Sequence, residues 1–190
     1  MASQRILVIG KSPVVLSEAE RLLNSLGFAA ASTDRFEEVT GDFDLSTLDL
    51  VVFGGRVPDH TKVKLKSAIT AAQPQAIFVD GLSGIPGLIV AQVRGALLPL
   101  TSARLEQTHT AHRRSLVLEL ASAAAVTVTV WWQTSAIPPN PGSDSRILVE
   151  RRLTAGVHEV RIPDDIANEV AFASVEVNES VRAFALAQQI

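Results

Sequence analysis

The stretch Arg5-Ile6-Leu7-Val8-Ile9-Gly10-Lys11-Ser12-Pro13 decides the fold. Its run of apolar residues from Ile6 to Ile9 is typical of a strand that is buried on both faces. Gly10 ends the strand, and Ser12 followed by Pro13 is typical of a helix start, with serine at the N-cap and proline at the first helical position. A strand that leads directly into a helix predicts the first unit of an α/β domain.

The same alternation of strand and helix continues through the first hundred residues. Apolar residues recur at helical spacing after Pro13, and Gly27 is placed to end that helix. Further strands are predicted at Phe28–Ser32, Leu50–Phe53 and Ala76–Val79, helices at Asp59–Ala72 and Gly87–Leu98, and a short helix within Phe36–Thr47. Apolar strands separated by helices indicate a parallel sheet covered on both faces. We therefore expect residues 1–100 to form a three-layer α/β sandwich.

The hydrophobic pattern changes near residue 100. Residues 101–114 are polar and aperiodic, so we expect a linker. The alternative is that a strand within this segment joins the edge of the N-terminal sheet. Beyond it, apolar residues alternate with a period of two, which predicts strands at Ser115–Leu120, Val126–Trp132, Arg146–Arg151, Gly156–Ile162, Val170–Val177 and Val181–Ala187. Turn-forming stretches separate them, as at Pro138–Gly142. Residues 115–190 are therefore expected to form a small antiparallel β-sandwich similar to fibronectin type III or immunoglobulin-like modules.

Composition excludes several classes of function. Hydrophobic residues make up 47% of the 190 residues, which is enough for a packed core. The formal net charge of −3 gives no basic surface for nucleic acid. The chain has no cysteine, which excludes disulfides, thiolate catalysis and cysteine-ligated metals. No apolar run is long enough for a secretory signal or a membrane-spanning helix. We expect a cytoplasmic protein that binds neither nucleic acid nor membrane.

Three local patterns resemble the receiver domain of response regulators, which has a flavodoxin-like fold. They are the strand and turn at Arg5–Pro13, the helix end Leu26-Gly27-Phe28 and the segment Asp49–Gly54. The resemblance covers residues 5–97, about half of the chain. It implies the α/β fold that the alternation of strands and helices also predicts.

The chemistry of the receiver family does not carry over to this sequence. The acidic pair that holds magnesium in the family falls on Gly10 and Lys11, and the phosphate-accepting aspartate falls on Gly54. The hydroxyl residue of the family falls near Asp80, and its lysine has no clear counterpart. Because magnesium needs oxygen ligands and an acyl phosphate needs a carboxylate, we expect a domain that is neither phosphorylated nor magnesium-dependent.

Several candidate binding residues follow the predicted parallel strands. Open α/β sheets bind ligands at the carboxyl ends of their strands, and a helix N-terminus with a lysine suits an anion. The candidates are Lys11, Ser12, Gly54, Gly55, Arg56 and Asp80. Lys11 and Arg56 would supply positive charge, and Asp80 would be the lone acid. The competing interpretation is structural, with glycines that permit tight turns and a surface lysine on a capped helix.

Trp131 and two histidines are the remaining candidates. Alternation places Val126, Val128, Val130 and Trp132 on one face of a strand and Trp131 on the other. Trp131 is therefore a candidate interface residue, against the N-terminal domain, a second copy or a partner, with sugar stacking as a further alternative. His109 and His112 lack a third metal ligand with the right spacing, so we expect linker histidines and no metal site.

No catalytic motif emerges from the sequence, since there is no G-x-S-x-G elbow and the paired acids Glu37-Glu38 and Asp164-Asp165 lie on expected surface. We interpret the chain as a non-catalytic interaction or signalling-derived protein without a cofactor. In this interpretation a pseudo-receiver and a β-sandwich provide docking surfaces for a protein partner. The edge formed by Val170–Val177 and Val181–Ala187 would serve a homodimer. The alternative is a small-molecule or anion-binding protein that uses the carboxyl edge of the N-terminal sheet.

Overall fold

The computed structural model describes residues 3–110, 113–135, 142–167 and 171–186. The chain divides into two compact units, Met1–Ala96 and Leu97–Ile190. Some of the sequence predictions fall outside the described residues. They concern His112, nearly all of the turn at 138–142, and the strand ends at 170 and 187. The first unit contains a parallel sheet with helices, and the second contains antiparallel sheets.

The first unit alternates strands and helices as the sequence predicts. Its elements are β1 (Arg5–Ile9), α1 (Pro13–Ser25), β2 (Ala29–Thr33), α2 (Val39–Asp42), β3 (Leu50–Phe53), α3 (Asp59–Ala72), β4 (Ile77–Asp80) and α4 (Pro86–Leu97). Short 3₁₀ turns at Phe36–Glu38 and Leu45–Thr47 flank α2. The strands are parallel and lie in the order β2-β1-β3-β4. The predicted bounds of β1, β3 and α3 are confirmed, and those of β2, β4 and α4 differ by one residue at each end.

The two central strands carry the apolar runs, because both of their faces are buried. Every residue of β3, and residues 6–9 of β1, is at most 1% exposed. On one face, Ile9 and Phe53 pack with Leu65 and Ile69 of α3 in a single hydrophobic cluster. This burial accounts for the unbroken apolar pattern of the central strands, which a strand with one solvated face would not need.

Helix α1 ends at a glycine in the left-handed conformation, as predicted. Gly27 has φ of +87°, and its N–H donates to the Asn24 carbonyl at 3.0 Å. The Phe28 N–H donates to the Leu23 carbonyl at 3.3 Å, which completes a Schellman motif. The chain is thereby directed into β2.

The second unit contains two antiparallel sheets within the described residues. Its elements are β5 (Ala103–Thr110), β6 (Arg113–Leu120), β7 (Ala124–Ser135), β8 (Gly142–Leu153), β9 (Gly156–Ile162), the one-turn helix α5 (Asp164–Ala167), β10 (Ala171–Val177) and β11 (Ser180–Ala185). One sheet has the order β11-β10-β7-β8 and the other has the order β5-β6-β9. Residues of both sheets, such as Leu118 of β6 and Val128 of β7, share one hydrophobic core.

The segment that we expected to be a linker, residues 101–114, contains a strand instead. Strand β5 pairs with β6 along its whole length and does not join the N-terminal sheet. It has the alternation of a strand, but only Ala103 and Leu105 supply apolar side chains to the core face. Arg104 and Glu106 occupy the opposite face. With so few apolar residues, the period of two was too weak to distinguish this segment from a loop.

Candidate functional site

Three loops lie side by side at the carboxyl ends of β1, β3 and β4, as the sequence predicts. The Gly54 N–H donates to the Ile9 carbonyl at 2.8 Å, and the Gly81 N–H donates to the Phe53 carbonyl at 2.7 Å. The strand-to-strand hydrogen bonding therefore continues one residue past β3 and β4. The loops are held against each other by their own backbones before any side chain contributes.

Two glycines of these loops, Gly54 and Gly81, pack closely against the backbone of the neighbouring strand. A Cβ atom at Gly54 would lie 3.2 Å from the Ile9 carbonyl oxygen and 3.4 Å from the Gly10 Cα. A Cβ at Gly81 would lie 3.1 Å from the Phe53 carbonyl oxygen. These neighbours are backbone atoms of paired strands and cannot move aside easily. The edge of the sheet is consequently a backbone surface at Gly54 and Gly81.

Asp80, which we expected to be the lone acid of this site, is held by two lysines of α3. Its carboxylate lies 3.1 Å from the Nζ of Lys66 and 3.7 Å from the Nζ of Lys62. The Lys66 ammonium also lies 5.4 Å from the centre of the Phe53 ring, within cation–π range. Asp80 thus neutralises positive charge supplied by this chain and does not present a bare carboxylate at the edge.

The two cationic candidates extend into solvent, and Ser12 begins a helix. Lys11 and Arg56 are exposed, and neither makes an ion pair or side-chain hydrogen bond within the part of the chain that the structure describes. Ser12 occupies the N-cap of α1, and its carbonyl accepts from the Leu16 N–H at 3.0 Å. Gly55, the remaining candidate, is exposed beside Arg56. The edge therefore carries two exposed cations, Lys11 and Arg56, that form no ion pair within the described residues.

Asp34 is a carboxylate at this edge that the sequence analysis did not name. It follows β2 directly and is exposed, and the neighbouring Thr33 carbonyl accepts from the Gly10 N–H at 3.1 Å. The strand order places β1 and β3 between Asp34 and Asp80. At a spacing of about 4.8 Å per strand, the two acids are separated by roughly 14 Å, too far to share one cation. The sequence signal for Asp34 was its position after a predicted strand. The alanines of that strand made the strand prediction itself weak.

The described residues contain no group of three histidines or carboxylates that could hold a metal ion. His109 lies in β5 and not in a linker, whereas its predicted companion His112 falls outside the described residues. Among the helices that the structure describes, none combines the length and apolar character that a bilayer crossing needs.

Trp131 faces away from the core of the second unit, as alternation predicts. Val126, Val128 and Val130 are at most 1% exposed, and Trp132 packs against the same core. Trp131 is half-buried and lies opposite Phe172 of β10 in the sheet register. Its assignment as an interface residue remains a prediction.

The edges of the second unit's larger sheet are poorly suited to strand pairing. At the β11 edge, which we expected to serve a homodimer, the Val181 N–H donates to the Leu98 carbonyl at 2.9 Å, and the Leu100 N–H donates to the Val181 carbonyl at 3.2 Å. At the other edge, β8 has a bulge at Leu148 and carries Arg146, Arg151 and Arg152. Bulges, charges and covering segments all oppose the addition of a further strand.

Side-chain amides bridge both edges of the N-terminal sheet. On β2, the Asn24 Oδ1 accepts from the Ala30 N–H at 2.9 Å, and its Nδ2 donates to the Ala30 carbonyl at 3.1 Å. On β4, the Gln92 Nε2 donates to the Asp80 carbonyl and its Oε1 accepts from the Leu82 N–H, both at 3.1 Å. Each amide makes the hydrogen bonds that a neighbouring strand would otherwise make. Sequence periodicity gives no signal for such contacts.

Comparison with known proteins identifies no family. No family model and no curated protein matches the chain. Among solved structures, the E. coli curli protein CsgC is 9% identical, with 44% of this chain and 96% of that chain covered and a TM-score of 0.24. Protein AGR_C_4864 from Agrobacterium tumefaciens is 8% identical, with 100% and 97% covered and a TM-score of 0.35. The β-glucosidase EmGH1 from Erythrobacter marinus is 9% identical, with 98% and 47% covered and a TM-score of 0.38. Similarities this low carry no argument about function.

Proposed function

We propose that this chain is a non-catalytic interaction protein derived from a signalling module. It consists of a phosphorylation-incompetent, receiver-like α/β domain with a three-layer arrangement, followed by an antiparallel β-sandwich that binds a partner or self-associates. The order β2-β1-β3-β4, with helices between parallel strands, supports the receiver-like assignment of the first unit. The core shared by the two antiparallel sheets supports the sandwich.

The observation that carries this proposal is the closed backbone surface at Gly54. A phosphate-accepting aspartate needs space for its side chain, and a Cβ at this position would already lie 3.2 Å from the Ile9 carbonyl oxygen. A magnesium ion needs several oxygen ligands on one side of the edge. Asp34 and Asp80 belong to strands separated by two others, and the carboxylates of Asp80 and Asp59 both lie beside Lys62.

The test is incubation of the full chain with acetyl phosphate and Mg²⁺, followed by intact-mass measurement and peptide mapping. We expect no phosphoryl adduct within residues 1–96 and no increase in Tm with beryllofluoride and Mg²⁺. An adduct on Asp34 or Asp80 would overturn the phosphorylation-incompetent assignment. Light scattering over a wide concentration range tests self-association separately, and a strict monomer throughout would contradict that part of the proposal.

The positive charge at the sheet edge favours a second candidate, the binding of a small anion. Lys11 lies at the N-terminal end of the 13-residue helix α1, and Arg56 follows the neighbouring strand β3. Helix N-termini and nearby cations attract anions. This candidate predicts that phosphate or pyrophosphate raises the Tm and that Lys11→Ala and Arg56→Ala each remove the rise. Lys64→Ala, which removes an exposed lysine paired with Glu37, is the matched control.

A further inference from the structure

We propose that two copies of this chain associate by antiparallel pairing of their β4 strands, with Phe78 at the two-fold axis. The pairing would join two four-stranded sheets into one continuous sheet. This inference rests on the self-association in the proposed function, and it assigns the contact to the first unit in place of the β10–β11 edge.

The hydrogen bonds of β4 leave a defined set of backbone groups directed away from β3. The Ile77 N–H donates to the Asp49 carbonyl at 2.9 Å, and the Gly81 N–H donates to the Phe53 carbonyl at 2.7 Å. Because bonding groups alternate sides along a strand, Ile77, Val79 and Gly81 face β3. The backbone groups of Phe78 and Asp80 therefore point outward.

The Gln92 side chain already hydrogen-bonds to part of this outward row of backbone groups. The groups that it leaves open determine the register in which a second β4 strand could pair. The Gln92 amide takes the Asp80 carbonyl and the Leu82 N–H. The Phe78 N–H and carbonyl and the Asp80 N–H remain available to another strand. An antiparallel copy centred on Phe78 would form two hydrogen bonds between the two Phe78 residues. Each Asp80 N–H would meet the Ala76 carbonyl of the other copy, which adds two more.

The side chains of β4 are compatible with the same register. It places Ile77 opposite Val79 and Phe78 opposite Phe78, and each Asp80 opposite Ala76, so no like charges face each other. Ile77 is 38% exposed, whereas all of β3 is fully buried. The strand therefore has an accessible apolar edge that is complementary to itself.

The other strand edges of the described structure lack this combination. On β2, Asn24 takes both outward backbone groups of Ala30, whereas Gln92 leaves both groups of Phe78 on β4 open. Residues 98–100 cover part of β11, and β8 has a bulge and three arginines. The edge strands of the smaller sheet carry charges at alternate positions, namely Arg104 and Glu106 on β5 and Glu159 and Arg161 on β9. Charged and interrupted edges resist pairing, so β4 is the edge best suited to a second copy.

Sedimentation velocity on the full chain tests the dimer. We expect a species of about twice the 20.3 kDa chain mass. Ile77→Lys places a charge within the paired strand and should raise the dimer Kd by roughly tenfold, because an apolar cross-strand contact is lost on each side of the axis. Val157→Lys is the matched control, since Val157 is 67% exposed on β9, and it should leave the Kd unchanged.

Cysteine cross-linking keeps the test valid if Ile77→Lys destabilises the fold. The chain has no cysteine, so single substitutions give clean reagents. Residues directly opposite in an antiparallel pair have Cα atoms about 4.5–5.5 Å apart, within disulfide range. A mixture of Ile77→Cys and Val79→Cys chains should form a disulfide heterodimer faster than either variant alone. A monomeric wild type would overturn both this inference and self-association. A dimer that survives Ile77→Lys without the cross-link would overturn only the β4 assignment.

Discussion

Replacement of Gly54 by alanine tests the closed backbone surface directly. The added Cβ would lie 3.2 Å from the Ile9 carbonyl oxygen and 3.4 Å from the Gly10 Cα. Ile9 is fully buried, so relief requires movement of a central strand. Overpacking of this kind costs about 1–3 kcal/mol. Alanine also restricts the unfolded chain, and this entropy effect offsets the cost by about 0.4–1 kcal/mol. We expect a net destabilisation of about 1–2 kcal/mol.

Gly55→Ala is the matched control, because the nearest atom to its added Cβ would be the Gly81 carbonyl oxygen at an ordinary 3.9 Å. Urea unfolding followed by far-UV circular dichroism reports mainly on the helices of the first unit. Fluorescence of Trp131 and Trp132 reports on the second unit and serves as an internal reference. If Gly54→Ala proved as stable as Gly55→Ala, the edge would have room for a side chain. Phosphorylation of a folded Gly54→Asp variant at its new carboxylate would refute the same reasoning.

Three further predictions concern single contacts. Asn24→Ala removes both hydrogen bonds to Ala30, a loss that the better helix propensity of alanine partly offsets. The first unit should be destabilised by about 1 kcal/mol in urea unfolding. An unchanged unfolding midpoint would contradict this prediction. Gly27→Ala forces a Cβ into the left-handed region and should lower stability by about 1–2 kcal/mol, whereas equal stability would argue against the positive φ. The Arg146 guanidinium, by hydrogen bonding to Asp165, lowers the pKa of that carboxyl, so their contact stabilises the fold above the ordinary aspartate range and is lost as the pH falls below about 4. The stabilities of wild type and Arg146→Ala should therefore converge in acid, and a constant difference down to low pH would contradict the coupling.

The sequence predicted well those elements whose signal is local and strong. Strands β1 and β3 have unbroken apolar runs because they are buried on both faces, and their bounds are confirmed. Strand β9 is also confirmed at its predicted bounds, because turn residues delimit it on both sides. Strand β5 was missed because Ala103 and Leu105 give too little apolar contrast for a period of two to stand out.

The sequence by itself determined that positions 10, 11 and 54 bring no carboxylate to the sheet edge, because the residue types at Gly10, Lys11 and Gly54 are fixed whatever the fold. Only the tertiary structure decided that Gly54 touches the backbone of Ile9, that lysines hold Asp80, and that the amides of Asn24 and Gln92 bridge the outer strands. The reason is physical. Periodicity reports the burial of each strand along its own length, whereas contacts across the sheet depend on the order in which distant segments pair.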